Sequence, residues 1–301
     1  MGGPGVRSRL MLSEQQVRLF AQELSVVHGV RAVALGGSRA RGIHRPDSDF
    51  DLGLYVDADV DRAALAEIAS RWSEGEAVIE PAGGWGPWVD SGAWLTVQGR
   101  EVDLILRDVE RVTEQCEKAV RGEFGFHVQP GHPLGFLDVA YAGEVALCVP
   151  LSDPSGFLRS LAEVVSPYPE PLRRAMLANL WQVDFLLDAA QKGARQEDVG
   201  YVALCASTAT MLLAHGWHAM AGQWVINEKG LIASVGRLPV DTRNFSSTAA
   251  ALLGSLGSTG AELQVAITGL RGLPRPDASP SHVDPVPVRE PSVSPFAAQP
   301  G

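Results

Sequence analysis

The chain has 301 residues, 46% of them hydrophobic and 20% charged, with a formal net charge of −10 at pH 7. That is ordinary globular usage with room for two cores, and the acidic balance works against a surface built to grip nucleic acid, whose phosphates need Lys and Arg. Cys116, Cys148 and Cys205 are widely spaced and odd in number, so neither a disulfide framework nor a cysteine zinc site is indicated. No stretch of eighteen uninterrupted apolar residues occurs and the N-terminus has no charged segment followed by an apolar run, so a cytoplasmic protein without a membrane partner is expected.

In chain order, Ser13 with Gln16 three residues on predicts a capping box, opening a helix whose Val17, Phe20, Leu24 and Val27 mark a buried face and which Gly29 ends. Val30 to Leu35 reads as a buried strand, and Gly36-Gly37 breaks it into a tight turn with Ser38 where a helix would begin. Unpaired backbone N–H groups at a helix start bind phosphate oxygens, glycines let a ligand approach the backbone, and Arg39 and Arg41 offer charge-assisted hydrogen bonds. Asp49 to Val56 reads as a second strand. Residues two apart on a strand point the same way, so Asp49 and Asp51 share one side and Phe50 and Leu52 the other.

Two carboxylates on one face repel each other unless a cation lies between them, and hard oxygen ligands suit magnesium bound together with substrate phosphates. A third acidic group is expected nearby. Asp61 to Trp72 predicts a helix and Ala77 to Glu80 a short strand. The loop from Gly83 to Trp94, with three tryptophans among glycines, either stacks on a ligand or, the favoured reading, folds its rings back onto the domain. Trp94 to Val97 and Glu101 to Leu106 form a hairpin about Gln98-Gly99. In its second strand Asp103 stands alone among apolar residues, where burial is costly without a partner and a metal supplies one.

Gly37-Ser38, Asp49-x-Asp51 and Asp103 resemble the Gly-Ser, paired-Asp and third-Asp pattern of the DNA polymerase β-like nucleotidyltransferase superfamily, over roughly the first 110 residues. The resemblance implies an α+β fold with a small mixed sheet flanked by helices and followed by a helical bundle. It implies that Asp49, Asp51 and Asp103 hold two Mg²⁺ ions, that Gly37 and Ser38 bind the triphosphate, and that a nucleoside monophosphate moves from a nucleoside triphosphate, ATP in this reading, to an acceptor hydroxyl. Antibiotic nucleotidyltransferases of this superfamily, of the aminoglycoside and lincosamide type, often carry a helical second domain with a similar Asn-Glu-Lys segment. By that resemblance Lys229, in Asn227-Glu228-Lys229, is a candidate to reach the triphosphate, the alternative being a solvated turn.

From about Gly135 the pattern is helical: Phe136 to Leu147, Gly156 to Val165, Glu170 to Gln191, Glu197 to Met220 and shorter pieces to Leu270, as in a helix bundle. Such a bundle after an α/β domain leaves a cleft. The expected division is a nucleotidyltransferase domain over 1–130, a helical domain over 131–273 and a disordered Pro-rich tail over 274–301. Glu144 is a candidate general base, with a structural role favoured, and His215 and His218 read as a core or surface pair rather than metal ligands. Three functions stay open: transfer to a small hydroxylated acceptor, transfer to tRNA or protein as in toxin-like relatives, and nucleotide binding without catalysis. The acidic charge favours the first, because an acidic site concentrates cationic substrates.

Overall fold

The computed structural model describes residues 12–276. They fall into two compact units, residues 12–115 with 144–163, and residues 116–143 with 164–276. In chain order the elements of the first stretch are α1 (Glu14–Ser25), β1 (Val30–Leu35), α2 (Gly37–Ala40), β2 (Phe50–Val56), α3 (Arg62–Trp72), β3 (Gly92–Val97), β4 (Arg100–Asp108) and α4 (Val109–Arg121). There follow β5 (Phe126–Gln129), β6 (His132–Leu137), α5 (Ala140–Leu147), β7 (Val149–Ser152), α6 (Phe157–Val165), α7 (Glu170–Ala178) and α8 (Trp181–Ala194). The last are α9 (Val199–Met220), α10 (Leu231–Val235), α11 (Phe245–Leu253) and α12 (Gly260–Arg271). The expected α+β class, a mixed sheet followed by a helical region, is the one observed.

The capping box forms as expected: the Gln16 N–H donates to Ser13 Oγ at 3.3 Å and the Ser13 N–H to Gln16 Oε1 at 2.9 Å. Helix α1 then buries Val17, Phe20, Ala21 and Leu24, and Phe20 stacks on Trp72 of α3 with centroids 5.0 Å apart. The five strands run in the order β3-β4-β2-β1-β7, with β2 and β4 parallel and the other neighbours antiparallel. The two-residue period puts Phe50, Leu52, Leu54, Leu95, Val97, Val102 and Leu104 into the core with α1 and α3. Asp51, Trp94 and Asp103 are left on the opposite face.

The expected boundary at residue 130 is not where the units part. The chain leaves the first unit after Gln115 and returns at Glu144, because β7 pairs with β1 and completes the edge of the sheet. Residues 77–80 are not a strand. Bonds at their two ends hold them, among them the Ala77 N–H to Ser70 Oγ, the Glu80 N–H to Gly92 O and Ser91 Oγ to Glu80 O, with no ladder. The helix expected from Phe136 begins at Ala140, since β5 and β6 form a hairpin turning at Gly131, and the helix expected over Glu170 to Gln191 breaks at Asn179-Leu180.

In the second unit α9 is the central helix, packed by α7, α8, α10, α11 and α12. Its length and apolar composition would suffice to cross a membrane, yet here Val202, Ala206, Leu213 and Trp217 fill the core of the bundle. Pro274 to Pro276, expected in the tail, are held by the second unit. Trp217 Nε1–H donates to Pro274 O at 3.2 Å, Arg275 grips Asp184 with bonds of 2.8 and 2.7 Å, and Pro276 is buried. Residues 277–301 lie outside the described residues.

Leu52 is fully buried directly beside Asp51 on the central strand. Leu52→Ala is expected to cost about 2–4 kcal/mol through lost burial and the cavity left behind, read as a lower urea midpoint for the first unit.

Candidate active site

The turn after β1 is shaped by close approach to β2. The Gly36 N–H donates to Asp51 O at 2.8 Å, and Gly37 takes a φ of +60°. A Cβ on Gly37 would sit 1.7 Å from Asp51 Oδ2, so only glycine lets the turn and the carboxylate share this space. Ser38 Oγ is buried with no hydrogen-bond partner among the described residues. An unpartnered hydroxyl costs free energy unless a ligand completes it, and a phosphate oxygen beside it would do so. The helix that follows, α2, is a single turn of four residues. A phosphate placed here would meet the glycine turn and the Ser38 hydroxyl more than a macrodipole, which needs a longer run of aligned peptides.

Beside this turn stand three carboxylates. In the parallel β2–β4 ladder Asp51 is the direct partner of Asp103, and Asp49 lies just before β2, two residues from Asp51. Ligand oxygens of Asp49, Asp51 and Asp103 all lie within 4.8 Å of one another. Burial pushes Asp51 up to about 6, with Asp49 and then Glu144 adding to the shift. Burial likewise pushes Asp103 up to about 6, with further contributions from Asp51, Asp49 and Glu101. Half-buried oxygen donors that crowd one another in this way fit a divalent cation, and magnesium suits a set of carboxylates completed by phosphate oxygens.

The arginines are placed differently from the sequence expectation. Arg39 was expected at the phosphates, yet its Nε donates to Asp49 O at 2.8 Å and its Nη2 to Ser48 O at 2.5 Å, and its guanidinium lies 3.8 Å from the Phe50 ring centroid. Burial, then Arg100, lowers its pKa. Arg39 therefore clamps the loop that presents Asp49. Arg41 reaches back to Gly37 O at 3.0 Å. Glu144 is held by the buried Arg107 in a two-pronged pair of 2.7 and 2.8 Å, which supports its structural reading over that of a general base. Arg107 and the Arg39 clamp escaped the sequence reading, since nothing local to either residue announces its distant partner.

Lys229 belongs to the second unit. It is exposed in a turn whose Asn227 Oδ1 accepts its backbone N–H at 2.8 Å. His215 and His218 are a core pair. Burial, with His218 adding, lowers His215 to about 3, while His218 meets Ala214 O and Ser234 Oγ at 2.9 Å each. In the tryptophan-rich loop Trp85 stacks on Trp94, and Arg111 lies 5.6 Å from the Trp88 ring and donates to Pro87 O.

Residues 15–121 match the family model described as a nucleotidyltransferase domain. They are a nucleotidyltransferase domain of the DNA polymerase β-like superfamily. The chain is accordingly a transferase of the nucleotidyl-transferring kind. Gly37, Ser38, Asp49, Asp51 and Asp103 all lie inside the nucleotidyltransferase domain, whereas Glu144 and Lys229 lie beyond it. Among solved structures the chain is similar to a nucleotidyltransferase-like protein from Exiguobacterium sibiricum 255-15, at 13% identity and a TM-score of 0.37, over 86% of this chain and 73% of that one. No curated protein matches the chain.

Because the folded state holds the Asp51 proton more tightly than the unfolded chain, ionising it costs stability. The cost is absent below the unfolded carboxylate range, grows as pH rises and is complete above about 6. Asp51→Asn should therefore stabilise the metal-free protein at pH 8, by about 1–2 kcal/mol after allowing for partial solvent screening, and give no gain at pH 3.5. Thermal melts at the two pH values measure the difference.

Proposed function

We propose that this protein transfers AMP from ATP to a hydroxyl of a basic small molecule, with magnesium as the cofactor. The observation that carries the reading is the convergence of Asp49, Asp51 and Asp103 beside the Gly36-Gly37-Ser38 turn. In the step, the acceptor oxygen bonds to the α-phosphorus as the bond from that phosphorus to the bridging oxygen of the β-phosphate breaks. Pyrophosphate leaves with the electron pair, and the hydroxyl proton passes to Asp103. Held by Asp49, Asp51 and Asp103, two magnesium ions would acidify the entering hydroxyl and stabilise charge on the entering and leaving oxygens.

The rest of the work falls to positioning and preorganised charge. Gly37 leaves room for the Asp51 carboxylate against the turn, Ser38 Oγ offers a hydrogen bond, and Arg39 holds the Asp49 loop in register. The net charge of −10 and the acidic Glu101 beside Asp103 support a cationic acceptor. An amino-sugar fits that description.

Asp49→Asn, Asp51→Asn and Asp103→Asn should each lower nucleotide transfer by at least about 100-fold with circular dichroism unchanged. The assay supplies labelled ATP, magnesium and a panel of aminoglycosides, lincosamides, tRNA and protein. Full activity in any of the three variants refutes the carboxylate assignment, and transfer only to tRNA or protein refutes the small acceptor. Gly37→Ala should raise the KM for ATP through its clash with Asp51. With a basic acceptor, its KM should also rise as salt is added, since screening at ~0.15 M shortens the reach of exposed charges to about 8 Å.

A further inference from the structure

On the open face of the sheet the strand order arranges a row of unlike groups. Trp94 on β3 is the direct antiparallel partner of Asp103 on β4, and Asp103 is the parallel partner of Asp51 on β2. The row ends at the turn after β1, where Gly36 bonds to Asp51 O. Paired residues project from the same face, and neighbouring strands lie about 4.8 Å apart. Trp94 therefore stands one strand from Asp103 and two from Asp51, on the side away from the glycine turn.

Trp94 is 70% exposed, far more than an aromatic residue in a sheet needs to be. Its ring is nevertheless held in place. Trp85 stacks against it with centroids 4.3 Å apart and planes 19° from parallel, leaving the rest of the indole open. Gly92 makes the arrangement possible, since a Cβ there would fall 2.6 Å from two atoms of the Trp85 ring and 2.1 Å from Leu104 O. A glycine inside a strand marks a close approach of this kind. The outcome is a braced aromatic surface next to the carboxylates.

In an in-line displacement the entering oxygen approaches opposite the leaving one. With the departing phosphates at the Gly37-Ser38 end and the reacting phosphorus over the carboxylates, the acceptor hydroxyl enters from the Trp94 end. Resting on the nucleotidyl-transfer reading above, we propose that Trp94, braced by Trp85, is the platform on which the acceptor lies. The acceptor it fits is a hydroxylated molecule with a sugar or aromatic ring, whose face packs on the indole while its hydroxyl reaches Asp103. An amino group on that ring adds a cation–π contact, for which tryptophan is the strongest partner.

The test uses the full chain saturated with magnesium and α,β-methylene-ATP, titrated calorimetrically with kanamycin, lincomycin and salicin. At least one of these is expected to bind the wild type. Trp94→Ala should weaken that binding about tenfold, in line with ring-on-ring contacts elsewhere, Trp94→Phe should recover most of it, and Trp85→Ala should fall between. The affinity for α,β-methylene-ATP should be the same in every variant. Binding of none of the three compounds to the loaded wild type, or equal binding by Trp94→Ala, overturns the platform. Loss of nucleotide affinity in Trp94→Ala puts the base on the indole and overturns it too. Failure of the wild type to bind the nucleotide at all refutes nucleotidyl transfer itself and takes the platform with it.

Discussion

Mutual repulsion among three carboxylates is the constraint on which the first unit turns. Like charges about 4 Å apart cost on the order of 4 kcal/mol in the polarisable environment near a protein surface, and Asp49, Asp51 and Asp103 have ligand oxygens within 4.8 Å of one another. Arg41 and Arg39 draw the proton affinity of Asp51 down, yet it stays raised to about 6, so the remaining cost is met from the other side of the sheet. There Leu52, Leu54, Val102 and Leu104 interleave with Phe20 and Leu24 of α1 and Leu65 of α3. The same packing fixes register. A slip of one residue between β2 and β4 would turn Asp51 into the core and Leu52 outward, so burying the leucines and holding the aspartates together are a single event.

Two arginines near the site stand one step back from the carboxylates. Arg39 spends its donors on the carbonyls of Ser48 and Asp49, and Arg107 spends its donors on Glu144. Had either guanidinium lain between Asp51 and Asp103, it would have relieved their repulsion and occupied the place of a cation. Instead Arg41 and then Arg39 lower the proton affinity of Asp51, against the larger effects of burial, Asp49 and Glu144 that raise it. The unit thus keeps a concentrated negative site while its arginines stiffen the surroundings, an arrangement that favours a divalent ion over a protein counter-charge.

How far the sequence foretold this depends on the range of each signal. The period-two pattern over Phe50 to Val56 and Val102 to Leu106 placed the aspartates on one face, because a strand's alternation is purely local. The Gln98-Gly99 hairpin was legible for the same reason, as both residues take positive φ. The β5–β6 hairpin was not, since its strands have four and six residues and its apolar residues also fit a helical pattern. Pro274 to Pro276 read as tail by composition, although Arg275 pairs with Asp184, 91 positions earlier. Arg39 read as a phosphate ligand because sequence shows a charge and not the carbonyls that receive it.

Strand order carries information that no single motif contains. The polymer runs β1, β2, β3, β4, but the sheet reads β3-β4-β2-β1, so the glycine turn and Trp94, 57 positions apart, fall at opposite ends of one row with the carboxylates between. Had β4 paired on the far side of β1, Asp103 would have been separated from Asp51 by a strand, and the three oxygens could not have met. The parallel pairing of β2 with β4 therefore does two things at once. It closes the carboxylate cluster, and it gives the site a direction, with a narrow backbone turn suited to phosphate at one end and a broad aromatic face at the other. A displacement that proceeds in line needs such a polarity, because its entering and leaving groups differ in charge and must occupy opposite ends of the reacting phosphorus.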